Sequence, residues 1–446
     1  MSFIPHTDQD RAHMLASLGL SNMDELFEEV CAALPPGEVP DIPGSSESEL
    51  SHELWDIARL NGRPDRTACF RGAGAYEHYI PAAISHLLSR GEFLTAYTPY
   101  QAEISQGTLQ VMYEFQTMVC ELLGLEVANA SMYDGASALA EAALMSMRIT
   151  RKHRLLVTEA LHPHWLQVLR TYTANVDADI VAIPTEGGVT SADAVSSLLD
   201  DDTAAVIIQN PNVFGLIEPM REVGSLLADR SALFIAAAHP IALGLLTSPG
   251  EAGADIAVAE GQPLGIPLSY GGPYLGLFAT RMEHVRQMPG RISGMSSDAA
   301  GRRGYVMTLQ AREQHIRRER ATSNICSNQA LCALAATIYL ALMGPAGFRA
   351  AAERSFAAAH ELARELAALP GCSLAFDAPF FNEFVLDLPI PAEDVERDLW
   401  KHGIISGLPL GRWWPDRRNQ MLFCATEIIT EAAIHRLAAA MEEALP

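Results

Sequence analysis

Four polar stretches of this 446-residue chain carry the side chains best suited to chemistry. They combine phenols, amides, hydroxyls and carboxylates, and they lie at residues 97–107, 131–137, 209–215 and 321–328. Tyr97, Tyr100 and Gln101 could line a substrate channel or hydrogen-bond to a group held by a partner chain. The alternative is that both tyrosine rings are packing anchors, and the residues alone leave both interpretations open.

Two other groups of polar residues could bind an anion or a metal ion. Asp134 and Ser137 begin a predicted helix, whose first backbone N–H groups would suit a phosphate. The Asp134 carboxylate would repel that phosphate, however, which favours a vestigial turn. His162 and His164 are two residues apart without a third ligand at suitable spacing, so we predict no metal site.

Thr322, Ser323 and Asn324 follow a basic run. Hydroxyl groups beside an arginine suit phosphate recognition. The same residue types also cap helices, such as the one predicted to begin at Gln329. One residue can both bind phosphate and cap a helix, so both interpretations stay open. Cys326 has no neighbouring histidine and is interpreted as a packing residue.

Lysine is nearly missing from the sequence. Of the 31 basic residues only Lys152 and Lys401 are lysines, so chemistry that needs a lysine amine has two candidates. Lys152 follows a predicted helix, whose C-terminal dipole favours a cation, and Lys401 lies near the end of the chain. We interpret both as solvated surface residues.

Continuous apolar runs separate the polar stretches and predict buried strands. These runs lie at residues 155–157, 180–183, 205–208, 233–236, 256–258 and 275–278. Connectors of helical length join them, and helices are predicted over 110–124 and 136–150. Apolar runs without alternation are typical of a sheet covered on both faces. The predicted fold class is therefore α/β with a mainly parallel sheet.

The chain divides into three predicted regions. They are an N-terminal helical extension and arm over 1–65, a large α/β domain over 66–345 and a small α+β C-terminal domain over 346–446. Two short helices are predicted within 8–33, with Ser21 as the N-cap of the second. The turn-rich segment 35–46 is predicted to be an arm that crosses a partner's surface.

Composition narrows the class of protein. The formal net charge of −23 disfavours nucleic-acid binding, because such a surface repels phosphate backbones. The apolar run 330–343 is too short to span a bilayer and ends at Gly344 and Pro345, and the N-terminus lacks the pattern of a secretory leader. The seven cysteines lie singly, which fits reduced thiols. We expect a cytoplasmic protein without a membrane segment.

Four motifs occur together and in order. They are Tyr-Thr-Pro-Tyr-Gln at 97–101, Glu-Ile-Ser-Gln-Gly at 103–107, Gln-Asn-Pro-Asn at 209–212 and Ala-Thr-Ser-Asn-Ile-Cys at 321–326. Over nearly its whole length the chain resembles the α subunits of two-subunit glycine decarboxylases, the P-proteins of the glycine cleavage system. This resemblance implies the aspartate aminotransferase-like large domain of fold-type I pyridoxal-phosphate enzymes, which agrees with the strand pattern.

The resemblance also shows what this chain lacks. An active fold-type I enzyme needs an aspartate on a sheet strand to keep the pyridine nitrogen protonated, and a lysine past the next strand to hold the cofactor as an imine. Residues 233–240 have alanines where the carboxylate belongs, and Gly261 and Gln262 lie near the position expected for the lysine. The resemblance therefore implies pyridoxal phosphate on a partner β subunit and not covalently on this chain.

The implied function is that of a non-catalytic α subunit. It would pair with the β subunit around an active site at their interface, and two pairs would form a heterotetramer. The complex, of the glycine dehydrogenase (decarboxylating) class, would release carbon dioxide from glycine and pass the aminomethyl group to the lipoyl arm of the H-protein, alongside the T-protein and L-protein. Tyr97, Tyr100 and Gln101 are expected at the channel or interface, and residues 322–324 across the interface from the partner's cofactor.

Two other functions are open. A scaffold or regulatory protein could keep this fold and dock the H-protein without shaping an active site. A self-sufficient enzyme could hold pyridoxal phosphate through Lys152 or Lys401, and an imine absorption band of the isolated chain would reveal it.

Overall fold

The computed structural model describes residues 5–33, 37, 40–41, 43–61 and 69–446. By their internal contacts the residues form two compact units, Met1–Gly62 and Arg63–Pro446. The three-region division with boundaries near 65 and 345 stays a prediction, because the larger unit is not divided further.

The smaller unit is helical in its described part. Its helices are α1 (Asp8–Ser17), α2 (Met23–Ala33) and α3 (Glu47–Leu60). The prediction of Ser21 as an N-cap was wrong: Asn22 directly precedes α2, and its side-chain oxygen accepts the backbone N–H of Glu25 at 3.0 Å. Helix α3 was not predicted, and it begins with a capping box between Ser46 and Glu49. The predicted arm over 35–46 falls partly outside the described residues.

Each predicted apolar run lies in or overlaps a strand of one sheet. The described strands are β1 (Val127–Ala128), β2 (Arg154–Thr158), β3 (Asp179–Ile183), β4 (Thr203–Asn210), β5 (Leu233–Ala238), β6 (Ile256–Glu260) and β7 (Gly276–Thr280). Their order is β1-β7-β6-β5-β4-β2-β3. Strands β3, β2, β4, β5 and β6 are parallel, and β7 and β1 pair antiparallel at one edge. The prediction of a mainly parallel α/β sheet is confirmed.

Helices cover the two faces of this sheet. Those described in the larger unit before the C-terminal region are α4 (Ala82–Leu88), α5 (Gly91–Leu94), α6 (Gln106–Leu123), α7 (Gly135–Thr150), α8 (Pro163–Thr173), α9 (Ala192–Leu198), α10 (Met220–Leu227), α11 (Gln314–Arg317) and α12 (Ala330–Ala367). Val258 of β6 belongs to the core cluster that includes Leu139 of α7. Its neighbour Ala257 belongs to the cluster of Phe115 on α6 and Tyr339 on α12. Successive strand residues thus point to opposite layers, as a doubly covered sheet requires.

Helix α12 joins end to end two helices that the sequence predicts over 329–343 and 348–369. The backbone breaks at Gly344, whose φ of 57° and ψ of −179° lie outside the helical region, directly before Pro345. By length and composition this is the one described helix that is apolar enough to cross a membrane. Tyr339 and Ala352, on either side of the break, are buried in the core beside the sheet, so part of its apolar surface packs into the larger unit.

A hairpin and a second sheet complete the larger unit. The hairpin strands are β8 (Ile292–Ser297) and β9 (Arg303–Thr308). The second sheet has the order β10-β11-β13-β12 and comprises β10 (Ser373–Leu374), β11 (Glu383–Asp387), β12 (Leu408–Pro409) and β13 (Gln420–Cys424). Helices α13 (Ala392–Lys401) and α14 (Glu431–Ala444) accompany it. The sequence predicts strands over 383–388 and 421–424 and helices over 392–402 and 430–444, and β11, β13, α13 and α14 confirm them.

Candidate functional site

Polar side chains meet at the carboxyl ends of the parallel strands. His162 follows β2, Gln209 lies at the end of β4, His239 follows β5 and Glu260 ends β6, and all four line one cavity. This is the edge at which open α/β sheets bind ligands. The cavity has a volume of about 30 Å³, which holds about one water molecule, whereas ligand pockets measure several hundred cubic ångströms.

The Glu260 carboxylate fills the position where a helix would hold an anion. Its Oε2 accepts the backbone N–H of Gly135, the first residue of α7, at 2.9 Å. Its Oε1 accepts the backbone N–H groups of Gln262 and Leu275, each at 3.0 Å. Burial raises the pKa of Glu260 to about 7, against the effect of these three donors, which lower it. The start of α7 is therefore occupied by a side chain of this protein.

A second buried carboxylate also lines the cavity. Glu383 of β11 accepts the backbone N–H of Ala73 at 2.6 Å and the hydroxyl proton of Tyr76 at 2.7 Å. Burial raises the pKa of Glu383 to about 7. Both carboxylates were missed by the sequence analysis. The only local signal was a charged residue at one end of an apolar strand, which does not reveal its partners.

The two histidines of the cavity are buried and held neutral. Burial lowers the pKa of His239 to about 3 and that of His162 to about 4. The Nε2–H of His162 donates to the carbonyl of Ala73 at 2.9 Å, and its Nδ1 accepts the backbone N–H of His164 at 3.2 Å. Both ring nitrogens of His162 thus have protein partners. Across the described ranges, no three His, Cys, Asp or Glu side chains are grouped as metal ligands would be.

The residues of this cavity do not fit pyridoxal phosphate. Ala237 and Ala238, which end β5 and line the cavity, provide no carboxylate for a pyridine nitrogen. The Glu260 carboxylate takes the backbone N–H of Gly135 at the start of α7. Lys152 precedes β2, so it lies at the amino edge of the sheet, away from the cavity, and its amine donates to Ser231 Oγ at 2.6 Å. Lys401 is exposed at the end of α13, where it pairs with Asp398.

The segment with Tyr97, Tyr100 and Gln101 lies at the surface before α6. Tyr97 is 84% exposed and Tyr100 is 56% exposed, and Gln101 is exposed as well. The Tyr100 hydroxyl accepts a hydrogen bond from the buried Arg291 at 3.3 Å. Tyr97 is therefore not a packing anchor within this chain, whereas Tyr100 is fixed by a cation.

Thr322, Ser323 and Asn324 line an open groove that also contains Glu141. The Ser323 hydroxyl donates to the Glu141 carboxylate at 2.7 Å and accepts the backbone N–H of Ile325 at 3.1 Å. Asn324 is exposed, and Thr322 is half-buried. The structure thus gives Ser323 an internal structural partner and leaves Asn324 turned to the surface.

Arg291 connects the two predicted segments, and sequence reasoning missed it. Its guanidinium donates to the hydroxyl of Thr98 at 3.1 Å, to that of Tyr100 and, at 2.8 Å, to the carbonyl of Cys326. The Arg291 side chain is 4% exposed and lies 3.8 Å from Glu313. Segments more than 200 residues apart in the chain are therefore joined by one buried cation.

The other two polar stretches serve structure. Asp134 is the N-cap of α7 and accepts the backbone N–H of Ser137 at 2.7 Å, in agreement with a structural turn. Gln209 accepts the backbone N–H of His162 at 2.8 Å. The amide of Asn212 bonds to Gly188 and Glu218. These stretches shape the loops at the carboxyl edge of the sheet.

Comparison with known proteins agrees with the fold and the motifs. Residues 1–441 match the model of the family described as glycine cleavage system P-protein. The chain is 52% identical over 443 residues to the probable glycine dehydrogenase (decarboxylating) subunit 1 of Desulforamulus reducens, covering 98% of this chain and 99% of that protein.

Solved structures give the same assignment. A crystal structure of glycine decarboxylase (P-protein) of the glycine cleavage system, in inhibitor-bound form, is 41% identical, with a TM-score of 0.91 and all of both chains covered. Glutamate decarboxylase of Lactobacillus brevis shares the fold with a TM-score of 0.70 at 13% identity, over 94% of this chain and 97% of that one. The predicted fold-type I architecture is confirmed, and the chain belongs to the glycine cleavage system P-protein family.

Proposed function

We propose that this chain is the non-catalytic α subunit of a glycine decarboxylase. It pairs with a β subunit that bears pyridoxal phosphate, and two such pairs form a heterotetramer. The complex decarboxylates glycine and transfers the aminomethyl group to the lipoyl arm of the H-protein, and the T-protein and L-protein complete the system. The name "subunit 1" of the relative from Desulforamulus reducens supports a second subunit as the partner.

The end of β6 carries this proposal. Glu260, Gly261 and Gln262 follow one another there, and Gln262 is locked by hydrogen bonds to Tyr76 and Ile266. A lysine amine is needed to hold the cofactor as an imine, and neither lysine of the chain lies at this edge of the sheet. A chain of this fold without that amine is best explained as support for catalysis on another chain.

An exposed apolar segment supports the pairing. Tyr97, Tyr100 and Ile104 are more than half exposed, Ile104 to 81%, and Leu94 precedes them with 58%. Directly after this segment, the side-chain amide of Gln106 bonds to the backbone of Tyr305 on β9 of the hairpin. Exposed clusters of aromatic and aliphatic side chains mark protein interfaces. We propose that this segment faces the β subunit and its substrate channel, and that Thr322 and Asn324 reach toward the partner's cofactor phosphate.

Reconstitution tests the proposal. Exchange of labelled bicarbonate into glycine is measured with lipoylated H-protein for this chain alone, for the candidate β subunit alone and for their mixture. We expect exchange from the mixture only. Exchange by this chain alone would contradict the proposal, and full activity of the β subunit alone would reduce this chain to a scaffold or regulator. We propose a cytoplasmic location, where these partners would meet.

A further inference from the structure

The Glu260 carboxylate is held by three segments that are distant in sequence. Its donors are Gly135 at the start of α7, Gln262 after β6 and Leu275 before β7. Glu260 as a whole residue is 9% exposed. Backbone N–H groups that converge on one negatively charged group are the arrangement that proteins use to hold a bound anion.

The start of α7 is packed closely against Trp165 and the end of β6. A Cβ atom at Gly135 would lie 2.5 Å from the Trp165 ring and 3.0 Å from the backbone nitrogen of Glu260, so only glycine fits there. The N-cap Asp134 takes the N–H of Ser137 and leaves that of Gly135 free for another acceptor. In this 16-residue helix the aligned peptide dipoles further favour a negative charge at that point.

We infer that Glu260 is an internal replacement for a cofactor phosphate: its carboxylate occupies the anion position at the start of α7 and closes the cavity to phosphorylated ligands. The remaining volume of about 30 Å³ agrees with a closed site, because even one phosphate group needs more room than one water molecule. This inference goes beyond the proposed function, because it names the residue that keeps the chain free of cofactor.

Deletion of the carboxylate should reopen the anion position. Glu260→Ala leaves three buried N–H donors without an acceptor, which costs stability, and a free oxyanion would then satisfy them. Glu260→Gln is the matched control: its amide fills the same space, keeps one oxygen acceptor and leaves no room for phosphate. The full-length wild-type chain and both variants are compared above pH 7, where the carboxylate is ionised.

The probe is inorganic phosphate, with sodium chloride at equal ionic strength as the reference. We expect phosphate to raise the melting temperature of Glu260→Ala by roughly 2 °C beyond the chloride reference, through ligand-linked stabilisation. The wild type and Glu260→Gln should show no such difference. If Glu260→Ala folds poorly, its refolding yield with and without phosphate provides the same comparison.

Two results would overturn the inference. Saturable phosphate binding to the wild-type chain, detected by phosphorus NMR line broadening, would mean that the site is open. An equal response of Glu260→Ala and Glu260→Gln to phosphate would mean that the carboxylate does not hold the anion position. Neither measurement uses glycine or the β subunit, so this inference and the proposed function fail independently.

Discussion

The buried guanidinium of Arg291 lies 3.3 Å from the hydroxyl of Tyr100, and its carbon lies 5.5 Å from the centre of the Tyr100 ring. The same guanidinium holds the carbonyl of Cys326. One cation thus orders both segments that the family motifs single out. Its nearest carboxylate is Glu313, 7% exposed in its side chain, at 3.8 Å.

Arg291→Ala should destabilise the chain by about 3 kcal/mol, because it leaves the Glu313 carboxylate buried without its cation. Urea unfolding measures the change. The double variant Arg291→Met with Glu313→Leu should lose less stability than either of these substitutions alone, because no uncompensated buried charge remains. Arg302→Ala, which breaks an exposed pair with Asp298, is the control and should cost about 0.5 kcal/mol. Equal losses for Arg291→Ala and Arg302→Ala would contradict this account.

Tyr100→Phe removes the hydroxyl that accepts from Arg291, and Tyr97→Phe removes one that lies free at the surface. If both face the channel, each should lower the turnover number of the reconstituted complex, by roughly tenfold for Tyr100→Phe, since a charge-assisted hydrogen bond is lost. Tyr79→Phe is a matched control, because Tyr79 is 61% exposed and lies outside both segments. Unchanged turnover for Tyr97→Phe and Tyr100→Phe would favour the scaffold function.

Ser323→Ala should destabilise this chain by about 1–3 kcal/mol. The Glu141 carboxylate would lose the donor of its Oε1 atom, and its Oε2 atom already has no hydrogen-bond partner among the described residues. Thermal unfolding of the isolated chain measures the loss. Ser197→Ala, at an exposed serine of α9 that bonds only to its own helix, should be nearly neutral. A stable Ser323→Ala chain with an inactive complex would instead assign Ser323 to the partner's site.

The pKa of Glu383 predicts a pH dependence of stability. Burial raises this pKa from an ordinary 4.5 to about 7, so between these values the folded chain binds a proton that the unfolded chain has lost. Raising the pH through this window therefore lowers the free energy of unfolding, by up to about 1.4 kcal/mol per pH unit for one group.

Glu383→Gln should remove this part of the dependence. The glutamine oxygen can still accept from Ala73, and its amide can donate to Tyr76, so the variant keeps its partners. We expect a shallower loss of stability between pH 4.5 and 7 than in the wild type, measured by urea unfolding across the range. Glu103→Gln, at an exposed position, is the control. Identical pH profiles for wild type and Glu383→Gln would refute the assignment.

Much of the large fold could be predicted because buried parallel strands leave a local signature. The runs around Val206 and Ile235 are continuous and apolar, and both became central strands. Strand β1 is too short for any such signal, and the antiparallel direction of β7 depends on its connection, not its composition. Helix α3 was missed because the preceding turn formers suggested an extended arm.

The candidate site could be predicted only in part, because its key contacts span the chain. Motifs located the segments around Tyr100 and Ser323, but Arg291 has no motif of its own. Tyr76 and Glu383 are 307 residues apart, and no spacing in the sequence pairs them. The lack of a lysine near the end of β6 could be predicted from the sequence, because the chain has only two lysines. The role of Glu260 could be recognised only from the geometry of its three backbone donors.

Trapping the cofactor tests the central claim most directly. The reconstituted complex is treated with borohydride, which reduces an imine to a stable amine and fixes pyridoxal phosphate on the lysine that holds it. Peptide mapping of each chain then locates the label. We predict that the label lies only on the β subunit and that Lys152 and Lys401 of this chain stay unmodified. A label on either of these lysines would contradict the account, because this chain would then hold the cofactor itself.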